Sequence, residues 1–351
     1  MVVTGALPTL RLMEAYDLGS WQSVQLLPGG KSQHYHVVTS SGEYVIRRSY
    51  RSKTLDGIRF EHELAGHLRR HRFPAPAVVP SISGDTCLAL EERLYSVSVF
   101  VKGSPYRAGN TPQLQEVAQT LATYHQLVAS FRPASPTPNG PFLNESLRKR
   151  MDAMPSPDRM ASLFAAYGAE SPQGQLLVSL PYALERGEAA LSVLDRLYAH
   201  LPQLVIHAGC RRGSALFAAD SLIAMLDFDS ARLEARVLDL AVALHDFAKV
   251  YGDPASPDYK VPLDPQAASQ FLSSYQEIQP LEPAEIEALP ALLVAKRLKR
   301  ALGRYERLYE GEELTEGDVR KIGLELARVR WLEAHGRELQ AALSTVARSR
   351  P

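Results

Sequence analysis

The sequence predicts an α+β chain in two parts, a small strand-rich amino-terminal region followed by a large helical one. Residues 20 to 95 read as short strands broken by glycine turns, with one amphipathic helix among them. Beyond residue 235 the pattern is helical almost throughout. Between the two, residues 204 to 229 hold two short apolar strands, LVIH and IAMLDF, the first delivering His207 and the second Asp227 and Asp229 to a loop. At 351 residues the chain is long enough to bury a large core, as one substantial domain or as two lobes.

The elements follow in order. LLPGGKSQHYHVVTSSGEYVIRR, residues 26 to 48, reads as strand, glycine turn, strand, serine-serine-glycine turn and third strand. FEHELAGHLRRHRFPAP is an amphipathic helix running into a proline-rich turn. RLYSVSVFVKGSPY is extended, with a hinge expected at about residues 97 to 104. In TPQLQEVAQTLATYHQLVASF, Leu114, Val117, Leu121 and Tyr124 fall at helical spacing, and Thr111 with Pro112 predicts an N-cap and first turn. RPASPTPNGP is a loop, and residues 175 to 201 form a helix ending before the strand Leu204 to Ile206. VLDLAVALHDFAKVYG, QAASQFLSSYQEI and PAEIEALPALLVAKRLKRALGRYERLYE follow as helices. The last helix begins near Thr315 and Asp318 and runs to about residue 346.

The 39 basic and 39 acidic side chains cancel, so no global field favours nucleic acid or an anionic membrane. No apolar run is long enough to span a bilayer, and the first 18 residues lack the pattern of a secretion signal, so a cytoplasmic protein is expected. Cys87 and Cys210, the only cysteines, imply neither a disulfide framework nor a zinc cluster. Oligomeric state is left open.

Several residues are of the type that handles phosphate. Gly29 and Gly30 allow backbone N–H groups to approach phosphate oxygens, with Lys31 and Ser32 beside them. In LDFD, alternation along a strand would place Asp227 and Asp229 on one face, able to share a divalent cation. His207 leads into a loop that Gly209 and Gly213 let bend, with Arg211 and Arg212 inside it. Two arginines there suit a phosphoryl or carboxylate anion, or form a solvated basic turn.

HAGCRRGSALF and LDFDSA, with VLDLAVAL after them, resemble the catalytic and metal loops of the superfamily of aminoglycoside phosphotransferases, choline kinases and type II homoserine kinases. There the loops read approximately H-G-D-x-x-x-x-N and I-D-F-D or I-D-W-E, followed by D-L-A. The resemblance covers most of the chain and implies a bilobal protein-kinase-like fold. Its N-lobe would span residues 1–100 and its C-lobe residues 101–351, the hinge backbone meeting an adenine edge and the carboxy-terminal helices forming an acceptor pocket. It implies ATP and Mg2+ as cofactors, with an unidentified small-molecule acceptor or anionic ligand as partner. Arg47 falls at the phosphate-reaching cation of the third strand, paired with Glu61 as first choice and Glu63 as second, the latter expected on a solvated face. Asp227, Asp229 and Ser214 fall at metal-binding positions. His207 is implied to organise the loop, Asp239 to hold it, and His125 to be packed.

The chain departs from the pattern at the chemistry. Ala208 stands for the glycine, Gly209 for the catalytic aspartate and Ser214 for the asparagine. An aspartate there orients the acceptor hydroxyl and takes its proton, and glycine does neither. Loss of a positioned base costs about 10²- to 10⁴-fold in rate. Three readings follow: a working small-molecule kinase, a catalytically inactive pseudokinase that binds nucleotide, and an anion-binding module built on Arg211 and Arg212.

Overall fold

A computed structural model describes residues 7–138, 140–249, 263–312 and 314–336, with 338 and 341. In chain order the elements are α1 (Thr9–Ala15), β1 (Trp21–Leu27), β2 (Gln33–Thr39), β3 (Gly42–Arg48), α2 (Leu55–Arg70), β4 (Val78–Val79), β5 (Leu88–Leu90), β6 (Arg93–Val99), β7 (Ser104–Pro105) and α3 (Thr111–Val128). Then come α4 (Leu143–Asp152), α5 (Pro157–Tyr167), α6 (Pro172–Leu197), β8 (Gln203–Ile206), β9 (Ala215–Ala218), β10 (Ser221–Met225) and β11 (Arg232–Ala235). The helices α7 (Val237–Phe247), α8 (Pro265–Ile278), α9 (Pro283–Tyr309) and α10 (Glu316–Ala334) complete the chain. No described helix is long and apolar enough to cross a membrane.

Two compact units divide these elements, residues 1–139 with 207–233, and residues 140–206 with 234–351. In the first, an antiparallel sheet runs β1-β2-β3-β6-β4, with β5 also on β6. Alternation on β2 buries Tyr35 and Val37, which join Ile46 of β3, Tyr95 and Val97 of β6 and Leu12 of α1 in one apolar cluster. Thr54 caps α2 by accepting from the Gly57 N–H at 3.1 Å. A second sheet, β10-β9-β7, is held by α3: the Gln113 amide donates to the Ala219 carbonyl at 2.8 Å, and Arg107 and Asn110 both reach Asp220. Gly103 lies so close to β9 that an added Cβ would meet the Leu216 Cβ at 2.9 Å, which leaves room only for hydrogen there.

In the second unit α9 is the central element, burying Leu289, Leu292, Leu298, Leu302 and Tyr305. The Tyr305 hydroxyl donates to the Leu176 carbonyl of α6 at 2.9 Å. Thr315 caps α10, its hydroxyl accepting from the Asp318 N–H and donating to the Asp318 carboxylate.

Three details differ from expectation and a fourth adds to it. The cap of α3 is Asn110, whose side chain accepts from the Gln113 N–H at 3.0 Å, with Thr111 already inside the helix. α4 and α5 occupy a stretch where the sequence pattern predicts no element. A further strand, β9, lies between LVIH and IAMLDF and forms a hairpin with β10. Glu63, half-exposed as expected of a solvated face, is also a tether: it accepts from the Ala134 N–H, the Ser135 N–H and the Ser135 hydroxyl. The expected continuations of the helix of residues 237–252 past residue 249, and of the last helix past residue 341, lie outside the described residues.

Candidate functional site

β3 and α2 bring a cation and an acid together. Arg47, paired in register with His34 of β2, directs Nη1 to Glu61 Oε2 at 2.7 Å. Lys53, just before the α2 cap, pairs with the other Glu61 oxygen and donates from Nζ to the Asp229 carbonyl at 3.0 Å. Glu61 is thus shared by two cations, all three side chains being largely enclosed at 17, 11 and 6 % exposure for Arg47, Lys53 and Glu61. Two Arg47 donors, Nε and Nη2, are buried without an acceptor. An enclosed guanidinium with unused donors is suited to bind an oxyanion.

The concentration of positive charge is felt by neighbours. Burial, then Arg47 and Lys53, push the His62 imidazole down to about 3, so it is neutral at physiological pH. His34 is lowered by burial and by Arg47, with Asp229 opposing.

The loop after β8 is organised by a neutral histidine. The Gly209 N–H donates to His207 Nδ1 at 3.1 Å, so Nδ1 is the acceptor and Nε2 carries the proton that reaches the Leu226 carbonyl at 2.9 Å. Ala208 takes a left-handed conformation, φ 59°, to make this turn. Ser214 closes it: its hydroxyl accepts from the Arg211 N–H at 2.9 Å and faces the carbonyls of Arg211 and Gly209 at 2.8 and 3.0 Å. That hydroxyl is committed to its own loop. Arg212 lies beside Tyr106, whose phenol is raised by burial and opposed by the arginine. A Cβ added at Gly209 would meet nothing closer than 3.4 Å, so the backbone there admits a Cβ without displacement.

Asp227 and Asp229 come together by a route other than strand alternation. β10 ends at Met225; Asp227 then adopts a left-handed conformation, φ 72°, and Asp229 sits in the short 3-10 turn that follows. The turn sets the two carboxyls close enough for each to feel the other's charge. Burial first, then the charge of Asp229, push the Asp227 carboxyl up to about 6, with Arg211 and Arg47 pulling it back. Two carboxylates that repel in an enclosed place are the donor set a divalent cation relieves. Among the described residues no group of three or more His, Cys, Asp or Glu side chains gathers to hold a metal. A cation here would complete its shell with water or ligand oxygens. Ser214, turned into its loop, does not fit as a ligand in this arrangement.

Gly29 and Gly30 form the turn between β1 and β2 at φ 105° and 79°. The Lys31 ammonium lies 5.8 Å from the centre of the Tyr50 ring, and Ser32 is buried. Asp239 is fully buried in the first turn of α7, and His125 packs its ring on Tyr124. Lys53 and His62 escape the sequence reading; a lysine ahead of a helix cap ordinarily signals a solvated side chain, and only its distance from Glu61 along the helix start hints otherwise.

The model of the phosphotransferase enzyme family matches residues 23–261. The homoserine kinase of Hyphomonas neptunium is 26% identical over 293 residues, 83% of this chain and 84% of that protein. Among solved structures, an amicoumacin kinase in complex with AMP-PNP and Ca2+ superposes with a TM-score of 0.67 at 15% identity, covering 97% of this chain and 94% of that one. A microcompartment-associated aminopropanol kinase gives 0.68 at 14% identity, over 95% and 98%. These likenesses establish the fold as the protein-kinase-like α+β fold.

Proposed function

We propose, since this chain belongs to the phosphotransferase enzyme family, that it binds a nucleoside triphosphate with a divalent cation and acts as a small-molecule kinase on a hydroxyl-bearing acceptor. The observation that carries this reading is Arg47, anchored by Glu61, with two buried donors still unused and the Asp227–Asp229 pair close enough to feel its charge. Arg47 would hold phosphate oxygens, the Gly29–Gly30 turn with Lys31 and Ser32 would approach the phosphate chain, and Asp227 with Asp229 would hold the cation. Bound there, Mg2+ would offset the charge that spreads over the transferring phosphoryl group. In this reading residues 1–100 form the nucleotide lobe and residues 101–351 carry the acceptor site. The curated relatives named homoserine kinase support a small polar acceptor.

A second reading is favoured by one observation. Gly209 places no side chain at the position of the acceptor's base, and the Ser214 hydroxyl is spent on its own loop. On that reading the chain binds nucleotide as a pseudokinase, transferring slowly or not at all, with Arg211 and Arg212 beside the phosphates.

Calorimetric titration with ATP, with and without Mg2+, separates the readings when combined with two variants. Both expect Mg2+-dependent binding that weakens at least tenfold in Asp227→Ala. Wild-type turnover supports the kinase; turnover only in Gly209→Asp, whose Cβ meets nothing closer than 3.4 Å, supports the pseudokinase. Absence of nucleotide binding in every condition refutes both.

A further inference from the structure

Within the sheet unit, one lysine joins two parts of the candidate site that lie far apart along the chain. The connection from β3 to α2 is flanked by two cations, Arg47 near the end of β3 and Lys53 just before α2, and both turn to the carboxylate of Glu61. Arg47 alone already pairs this acid, at 2.7 Å. A second cation on it brings like charges together and takes an ammonium largely out of water, since Lys53 is 11 % exposed. What Lys53 gains in return, and Arg47 does not share, is the Asp229 carbonyl, 176 residues away in sequence and 3.0 Å from Nζ.

The local chain prepares this reach. The Lys53 N–H donates to the Tyr50 carbonyl at 3.1 Å, a turn that delivers the lysine immediately ahead of the Thr54 cap. Gly57, in the first turn of α2, carries no side chain beside it: an added Cβ would lie 3.1 Å from the Thr54 hydroxyl oxygen and 3.5 Å from Lys53 Cε. Glycine is a poor helix former, and its place here goes with the lysine stem that lies across it.

The turn that Lys53 meets is held from two ends. Its near end is fixed at Leu226, whose N–H donates to the Ser214 carbonyl at 2.7 Å and whose carbonyl accepts from His207 at 2.9 Å. Asp227 follows at φ 72°, a conformation that persists in a residue with a Cβ where its surroundings hold it. The far end is a short turn closed by the Ala231 N–H on the Phe228 carbonyl at 3.0 Å, and Lys53 holds it at Asp229.

We propose that Lys53 is a positioning residue, a strut that holds the Asp227–Asp229 turn against the Arg47–Glu61 pair. The groups that would meet the cation and the groups that would meet the phosphates are thereby set in one arrangement before a ligand arrives, which is how a binding constellation avoids ordering itself at the ligand's expense. The hold of Lys53 on the turn needs no nucleotide. Its consequence, that the help given by Mg2+ to nucleotide binding passes through Lys53, rests on the kinase reading above.

The test is Lys53→Met in the full chain, its fold checked by circular dichroism, with two readings. The first, without nucleotide, is hydrogen exchange by mass spectrometry in a peptide covering residues 226–231, against a control covering residues 33–39. The expected result is exchange about tenfold faster in the turn, with the control changed by no more than about twofold. The second is ATP titration with and without Mg2+. The factor by which Mg2+ tightens ATP should fall about tenfold, while ATP alone weakens by no more than about threefold. A merely structural loss would weaken both alike. Lys53→Arg, which keeps a cationic donor, should recover part of both effects. If Lys53→Met does not fold, Lys53→Gln, with a shorter side chain and a polar head, decides by the same readings. Equal exchange in the turn overturns the strut whether or not the chain binds nucleotide. An undiminished Mg2+ factor overturns its role in binding. A wild type that binds no nucleotide removes the kinase reading, and the exchange measurement still judges the strut.

Discussion

Removing the Glu61 carboxylate should be among the most damaging single changes in the sheet unit. Glu61 is 6 % exposed and faces Arg47 at 2.7 Å and Lys53 on its other oxygen. At that separation the attraction to one cation is about 6 kcal/mol for an effective dielectric of 20. Deleting the acid returns part of this through rehydration of the long cationic side chains, and net losses for breaking one buried pair are about 3 to 5 kcal/mol. The two pairs share one carboxylate, so the losses do not simply double. Glu61→Ala is therefore expected to cost about 3 to 5 kcal/mol, and Glu61→Gln somewhat less because an oxygen acceptor survives. Trp21 packs against the apolar cluster of the sheet and Trp331 belongs to the other unit, so a Trp331→Phe background lets fluorescence report the sheet alone during urea unfolding. A loss below about 1 kcal/mol, the worth of a solvent-screened surface pair, would refute the claim that this triad is enclosed and coupled.

Three further outcomes are expected. His62 is held down at about 3 against an ordinary 6.5, so below pH 6.5 the unfolded chain takes up a proton that the folded chain refuses. Its contribution to stability is complete above pH 6.5 and is lost as pH falls toward 3; His62→Gln should flatten that part of the profile, and an NMR titration midpoint near 6.5 would sink the idea. Ser214→Ala removes a buried hydroxyl that bridges Arg211 and Gly209, and urea unfolding should show a loss of about 1 to 3 kcal/mol, with an unchanged midpoint as the contrary result. Glu63→Ala frees the backbone N–H groups of Ala134 and Ser135, so limited proteolysis within residues 132–138 should accelerate; identical cleavage rates would show that the tether does not hold the loop.

Much of the sheet unit was legible because its signals are local. The glycine turn, the alternation of Tyr35 and Val37 and the helix of residues 55–70 are written within a few residues of one another, and the pairing of Arg47 with Glu61 follows once strand and helix are placed. Lys53 was not legible, because its partners are a helical acid and a carbonyl 176 residues away. The helix α4 hides because its apolar stripe, Leu143, Leu147 and Met151, is thin within LNESLRKRMD. The proximity of Asp227 and Asp229 was foreseen for the wrong reason: alternation requires a strand, and the strand stops two residues earlier, where a left-handed turn takes over. Aspartate is among the few non-glycine residues enriched at positive φ, but nothing local in LDFD marks Asp227 for φ 72°.

The hydrogen bonds around His207 bear on how this loop can change over time. Its shape is set by a backbone N–H at residue 209, the His207 ring and the Leu226 carbonyl, none of which involves a side chain at position 209. The frame can therefore persist while the side chain it carries is lost or regained. Glycine and aspartate differ here by one substitution at one position, and the backbone at Gly209 already admits a Cβ. Under the proposed reading, an active and a silent form of this protein would be neighbours one residue apart, with the fold standing unchanged between them.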